Sequence, residues 1–150
     1  MLSKPKNGWT TVQIKDFEVI ASYLVDIPFD WLYSCLNGLK NRTPICLFID
    51  EEGAESYIVS YYDVTHVIYD GDEVERYTFR DIDFMDITHY ILEDIKRFYD
   101  DWLSWSPYED SEEDIIVRNE KLKRLIDEVE YELEKEAKRY NKSFLRSNNE

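Results

Sequence analysis

The segment ICLFIDEEGAESYIVSYYDVTHVIYDGDEVERYTF, residues 45–79, determines the architecture of this chain. It contains four short runs rich in β-branched and aromatic residues, separated by acids and glycine, as in an antiparallel meander. Glu51-Glu52-Gly53 predicts the first turn. Asp70-Gly71 predicts a hairpin, because both residue types tolerate positive φ. The four predicted strands are 45–50, 56–62, 64–70 and 74–79.

The residues before this segment predict two further strands and one helix. Residues 9–14 and 17–25 are β-rich. In the strand predicted over 45–50, the first five residues are all apolar, which favours a central strand covered on both faces. Pro28 suits the first position of a helix, and the apolar residues that follow it at helical spacing predict a helix over about 28–40.

The residues after the segment predict two C-terminal helices. Apolar residues recur at steps of three and four over 83–105 and lie on one face of a helix. Ser106 and Ser111 are alternative N-caps for a final helix near 112–141. The apolar line of that helix is Ile115, Leu122, Leu125, Val129 and Leu133. We therefore expect an α+β fold, in which an antiparallel sheet of about five or six strands packs against helices.

Length and composition predict a single acidic domain over 1–150, with residues 142–150 frayed. Apolar residues form 43% of the 150-residue chain and aromatic residues 15%, enough to build a core. No stretch has the length and apolarity of a signal peptide or a membrane span, so we expect a cytoplasmic protein without membrane contact. We expect Cys35 and Cys46, which lie in apolar runs, to be buried free thiols.

The net charge of −15 is concentrated in the middle of the chain. Residues 43–75 contain nine acids and no Lys or Arg, and residues 76–114 contain twelve acids and four bases, whereas both ends are almost neutral. Such a surface repels nucleic acids and anionic membranes and attracts basic proteins. Direct nucleic-acid binding is disfavoured further because Lys and Arg are not clustered.

No catalytic motif is recognisable in the sequence, so we expect a protein that is not an enzyme. His66 and His89 are far apart and stand at no zinc-binding spacing with either cysteine. The acidic run 70–73 lacks the later ligands of a calcium loop. Phosphate-binding glycine loops and nucleophile elbows are also missing. We expect no metal and no cofactor.

Acids interleaved with aromatic residues are the strongest functional signal of the sequence. Trp and Tyr are favoured at the centres of protein interfaces, and complementary charge speeds association and excludes wrong partners. Carboxylates can occupy the basic groove of a nuclease in place of phosphates. The predicted partner-binding residues are Asp50, Glu51, Glu52, Glu55, Asp63, Asp70, Asp72, Glu73, Glu75, Trp105 and Tyr108.

Two segments carry a resemblance to a known class of proteins. These are Ser22-Tyr23-Leu24-Val25-Asp26-Ile27-Pro28 with the helix that follows, and Leu47-Phe48-Ile49-Asp50-Glu51-Glu52-Gly53 before the next strand. Over about residues 9–95 the chain resembles small acidic immunity proteins of bacterial polymorphic or contact-dependent toxin systems. The resemblance implies a non-catalytic protein that binds and neutralises one toxin. The acidic surface indicates that this toxin is a nuclease.

Two other functions remain open at this point. A phage-encoded protein that imitates DNA and inhibits a restriction or CRISPR nuclease would also be acidic. A homo-oligomeric structural or assembly protein could pair its long C-terminal helix in a homodimer, although the short apolar line of that helix does not compel a coiled coil.

Overall fold

The computed structural model describes residues 1–106 and 110–144 and confirms the α+β fold. No helix in these ranges has both the length and the apolar character needed to span a bilayer. The elements are β1 (Trp9–Ile14), β2 (Phe17–Ser22), α1 (Ile27–Asn41), β3 (Ile45–Glu51), β4 (Ala54–Ser60), β5 (Thr65–Asp70), β6 (Val74–Phe79), α2 (Phe84–Arg97), α3 (Tyr99–Leu103) and α4 (Glu112–Arg139).

The strands form two antiparallel sheets and not the single sheet of five or six strands that we expected. The meander β3-β4-β5-β6 is a four-stranded sheet, while β1 and β2 pair only with each other. Of the strand predicted over 17–25, only residues 17–22 form a strand, which ends at Ser22. The N-terminal hairpin is therefore a separate element that packs beside β3.

Strand β3 lies at an edge of the four-stranded sheet, so the prediction of a central strand was wrong. Ile45, Leu47 and Ile49 are buried, whereas the residues between them are exposed or half-buried. Cys46 is consequently exposed, although Cys35 is buried as expected. The indole Nε1 of Trp31, on α1, donates to the carbonyl oxygen of Phe48 at 3.1 Å. Helix α1 thereby covers part of the free edge of β3, which would otherwise be open to pairing.

The core lies on one face of the four-stranded sheet. Leu47, Ile58 and Val67 sit side by side on β3, β4 and β5 and are fully buried. Helix α1 contacts β3, and helices α2 and α4 pack against α1. We call this buried side the inner face and the opposite side the outer face. The outer-face residues, from the strand alternation, are Cys46, Phe48, Asp50, Glu55, Tyr57, Val59, His66, Ile68, Asp70, Val74, Arg76 and Thr78.

The helix predicted over 83–105 is interrupted at Phe98, whose φ of −113° and ψ of 38° are not helical. The apolar stripe nevertheless continues across the break, because Trp102 and Trp105 are both buried. Helix α4 begins after Ser111, whose side chain and that of Asp114 form a reciprocal capping box. Ile115 is 42% exposed, so its place in the predicted apolar line was wrong.

The two predicted turns form, but for different reasons. Gly53 has a φ of 80° in the β3–β4 turn, a conformation that glycine adopts readily. Positive φ occurs at neither Asp70 nor Gly71, so the reason that we gave for that hairpin was wrong. A Cβ atom at Gly71 would lie 2.7 Å from the ring of Tyr69. Gly71 therefore leaves room for that ring.

The C-terminal residues 142–144 do not fray as predicted. The Lys142 Nζ atom lies 2.6 Å from Asp83 and 3.0 Å from Asp86 at the start of α2. The ring of Phe144 stacks on His89 with 4.6 Å between centroids. The remaining predicted frayed residues, 145–150, lie outside the described residues.

Candidate functional site

Eight of the predicted partner-binding acids lie at one end of the four-stranded sheet. The β3–β4 and β5–β6 hairpins both turn there, because Glu55 at the start of β4 pairs with Asp70 at the end of β5. Asp63 differs, since it lies in the β4–β5 turn at the opposite end. We call the following set the acidic end: Asp50, Glu51, Glu52, Glu55, Asp70, Asp72, Glu73 and Glu75.

The pleat of the strands divides the acidic end between the two faces of the sheet. Asp50 pairs with Glu55, and Glu55 pairs with Asp70, so these three carboxylates form one row across the outer face. Neighbouring strands are about 5 Å apart, and like charges directly opposite each other destabilise a sheet. This carboxylate row is therefore an arrangement that folding alone does not favour.

An apolar row lies beside the carboxylate row on the outer face. Phe48, Tyr57 and Ile68 pair across β3, β4 and β5, and the Phe48 and Tyr57 ring centroids are 5.2 Å apart. The Tyr57 hydroxyl donates to Glu55 Oε2 at 2.6 Å, and this bond raises the pKa of Tyr57. None of the outer-face residues is buried by the described part of the chain. The outer face thus presents half-exposed apolar side chains next to carboxylates.

The inner side of the acidic end borders a cleft. Glu51, Glu52 and Glu75 line it together with Glu18 from β2, and its volume is about 570 Å³. Glu51 Oε1 accepts a hydrogen bond from the Ser22 backbone N at 2.5 Å, which ties the N-terminal hairpin to the tip of β3. The acidic end therefore has two distinct surfaces, one on each side of the sheet.

No carboxylate of the acidic end has an ion-pair partner within residues 1–106 and 110–144. Elsewhere, Asp26 pairs with Arg118, and Asp94 pairs with the α-amino group of Met1 at 3.0 Å. Lys15 similarly pairs with Asp81 and lowers the pKa of that carboxyl. Some acids outside the acidic end are thus neutralised by a neighbouring cation, whereas eight carboxylates gather at the acidic end without one.

Trp105 is buried, so its prediction as a partner-binding residue was wrong. Only 3% of the residue is exposed, and its Nε1 donates to the Val25 carbonyl oxygen at 2.9 Å. Its ring centroid lies 5.0 Å from that of Trp102. Trp105 is buried because it extends the apolar stripe of α2 and α3. Tyr108, the other predicted anchor, lies outside the described residues.

The histidines and the buried thiol occupy structural positions. His66 Nδ1 lies 3.1 Å from Thr78 Oγ1 on the outer face, and His89 stacks on Phe144. Burial raises the pKa of the Cys35 thiol to about 12. Within the described ranges, no group of three His, Cys, Asp or Glu side chains is placed to hold a metal ion.

Sequence reasoning missed the apolar row and Glu18. Strand alternation could have revealed the apolar row, because residues two apart in a strand lie on the same face. Phe48 precedes Asp50 by two residues, and Ile68 precedes Asp70 by two. Tyr57 likewise follows Glu55 by two residues. The position of Glu18 depends on how the separate N-terminal hairpin packs, which strand periodicity does not encode.

A search for known proteins adds no relative, since no protein-family model, no curated protein and no solved structure matches the chain significantly.

Proposed function

We propose that this protein is a non-catalytic inhibitor that binds and neutralises a basic partner protein, and that it acts as an immunity protein against a toxin nuclease. The observation that carries the proposal is the carboxylate row, which has no ion-pair partner among the described residues, beside a half-exposed apolar row. A nuclease has a basic groove for phosphates, and carboxylates that lack their own cations can occupy that groove.

The carboxylate row destabilises the free protein. Asp50, Glu55 and Asp70 repel one another in the free protein. A partner that supplies Lys and Arg side chains would remove this repulsion on binding. Natural proteins break rules of local stability chiefly where function requires it. The placement of these three carboxylates side by side on adjacent strands, without a cation between them among the described residues, supports a functional reason for the row.

The apolar row supplies the second part of an interface. Aromatic side chains favour interface centres, and charged groups at the rim steer the encounter and set its salt dependence. Phe48 and Tyr57 would contact the partner directly, while the carboxylates beside them select a basic surface. We expect the interaction to weaken with salt, because exposed charges are screened within about 10 Å at 0.1 M ionic strength.

Capture of the partner from lysate of the native host tests this function. The wild type is compared with D50N/E55Q/D70N, which neutralises the row, and with E120Q/D127N/E134Q, which removes the same charge from exposed positions on α4. We expect wild type and control to capture a basic nuclease at low salt and to lose it at about 0.5 M salt. The row variant should capture little at either salt concentration.

The captured protein then identifies the kind of inhibitor. An equimolar amount of this protein should abolish the nuclease activity of a toxin, and E120Q/D127N/E134Q should do the same. A captured restriction or CRISPR nuclease would support the DNA-mimic alternative instead. Equal capture by wild type and D50N/E55Q/D70N, or recovery of this chain alone, would contradict binding through the carboxylate row.

A further inference from the structure

The cleft on the inner side of the acidic end is lined by residues from both sheets. A row of inner-face residues crosses all four strands of the larger sheet and lies at the cleft: Ile49, Ser56, Tyr69 and Glu75. Residues 17–20 of β2 line the side formed by the N-terminal hairpin. At about 570 Å³ the cleft has the size of a typical small-ligand site.

The charged side chains that line the cleft are all acidic. Four glutamates line the cleft, and no Lys or Arg does. The remaining lining combines aromatic rings with small and aliphatic side chains. Carboxylates bind cations, and the faces of aromatic rings attract ammonium and guanidinium groups. The aromatic residues are Phe17, Tyr69 and Tyr77.

Contacts across the cleft fix its shape. The ring centroids of Phe17 and Tyr77 lie 5.2 Å apart and join β2 to β6. Glu51 accepts from the Ser22 backbone N and joins β2 to β3. The Tyr77 hydroxyl donates to Glu75 Oε2 at 3.3 Å, which orients that carboxylate. These contacts constrain four of the lining side chains, Phe17, Glu51, Glu75 and Tyr77, in the absence of a ligand.

We propose that this cleft receives an arginine side chain of the basic partner protein. The inference rests on the proposed function and adds a second contact, on the opposite face of the sheet from the carboxylate row. A planar guanidinium can stack on an aromatic ring and bond a carboxylate with two parallel N–H groups, which the compact ammonium of lysine cannot do. Glu18 and Glu75 bind the guanidinium, and the Tyr69 and Tyr77 rings flank it.

Peptide titration followed by amide NMR tests the inference without the partner. The probe is N-acetyl-Gly-Arg-Gly amide, and the matched control replaces arginine with citrulline, which has nearly the same shape and no charge. At about 5 mM peptide, millimolar dissociation constants are measurable. We expect the arginine peptide to shift the resonances of Glu18, Glu75 and Tyr77, and the citrulline peptide to leave them unchanged.

Two matched double variants locate the binding. E18Q/E75Q should lower the affinity for the arginine peptide about tenfold, because two charge-assisted contacts are lost. E120Q/E134Q removes the same charge from exposed positions on α4 and should leave the affinity almost unchanged. Equal shifts with citrulline, no shifts at the cleft, or equal affinity of E18Q/E75Q and wild type would overturn the inference.

These outcomes are separate from those of the proposed function. If partner capture depends on the carboxylate row but the cleft does not bind arginine, the inhibitor function is supported. The cleft then plays no part in that function. Arginine binding in the cleft with no basic partner captured would support the cleft and contradict the proposed function.

Discussion

Arg118 shows what a compensated charge looks like in this protein. Its guanidinium donates to both carboxylate oxygens of Asp26, at 2.9 and 3.0 Å, and to the carbonyl oxygens of Leu103 and Trp105. It also lies over the ring of Phe29, 4.6 Å from the centroid. One side chain thus joins α4, the segment after α3 and the start of α1. No carboxylate of the acidic end has such a partner within the described residues.

Thiol reactivity tests the burial of the two cysteines. At pH 8 we expect a disulfide reagent such as DTNB to modify Cys46 quickly in the native protein, because this residue is exposed. Cys35 should react only after unfolding, since burial raises its pKa to about 12 and the thiolate is the reactive form. C46S should lose the fast reaction and C35S should keep it. Two fast thiols in the native wild type would contradict this placement of Cys35.

At the scale of elements, sequence periodicity predicted the strands well and their arrangement less well. All six strands and the helices α1 and α4 occur near their predicted positions. The N-terminal hairpin was wrongly joined to the sheet, because pairing between separate β-rich segments depends on packing and not on local pattern. The break at Phe98 was missed for a similar reason, since the apolar stripe over 83–105 continues through it.

The capping box of α4 gives a test at this scale. We expect S111A to lower the free energy of unfolding by about 1 kcal/mol, measured by urea denaturation, because the first turn loses its cap. S111T keeps a hydroxyl acceptor and should retain most of the stability. An unchanged urea midpoint in S111A would show that the cap does not stabilise α4.

The same variant should change the titration of Asp114. Hydrogen bonds from the Ser111 side chain and backbone lower the Asp114 pKa from its ordinary value of 3.8. A lowered folded-state pKa means that this stabilisation is present above pH 3.8 and is lost as the pH falls through the lowered value. NMR titration of the Asp114 carboxyl should therefore show a higher pKa in S111A than in the wild type, and an equal pKa would contradict the role of Ser111.

For the whole molecule, the distribution of charge was the most informative property of the sequence. The absence of Lys and Arg from residues 43–75 already predicted an acidic surface among the hairpins. The sequence did not reveal that the pleat separates Asp50, Glu55 and Asp70 from Glu51 and Glu75. That separation requires the register of four strands. The position of Glu18 in the cleft requires, in addition, the docking of the N-terminal hairpin on the larger sheet.

The central claim is that the protein keeps a destabilising carboxylate row because a basic partner needs it. The most direct measurement is the urea unfolding of D50N/E55Q/D70N at low salt, paired with its affinity for the purified partner. We predict that the free energy of unfolding rises by about 1 kcal/mol as the repulsion is removed, while the affinity falls more than about tenfold. A variant that is no more stable than wild type and binds the partner equally well would contradict the claim.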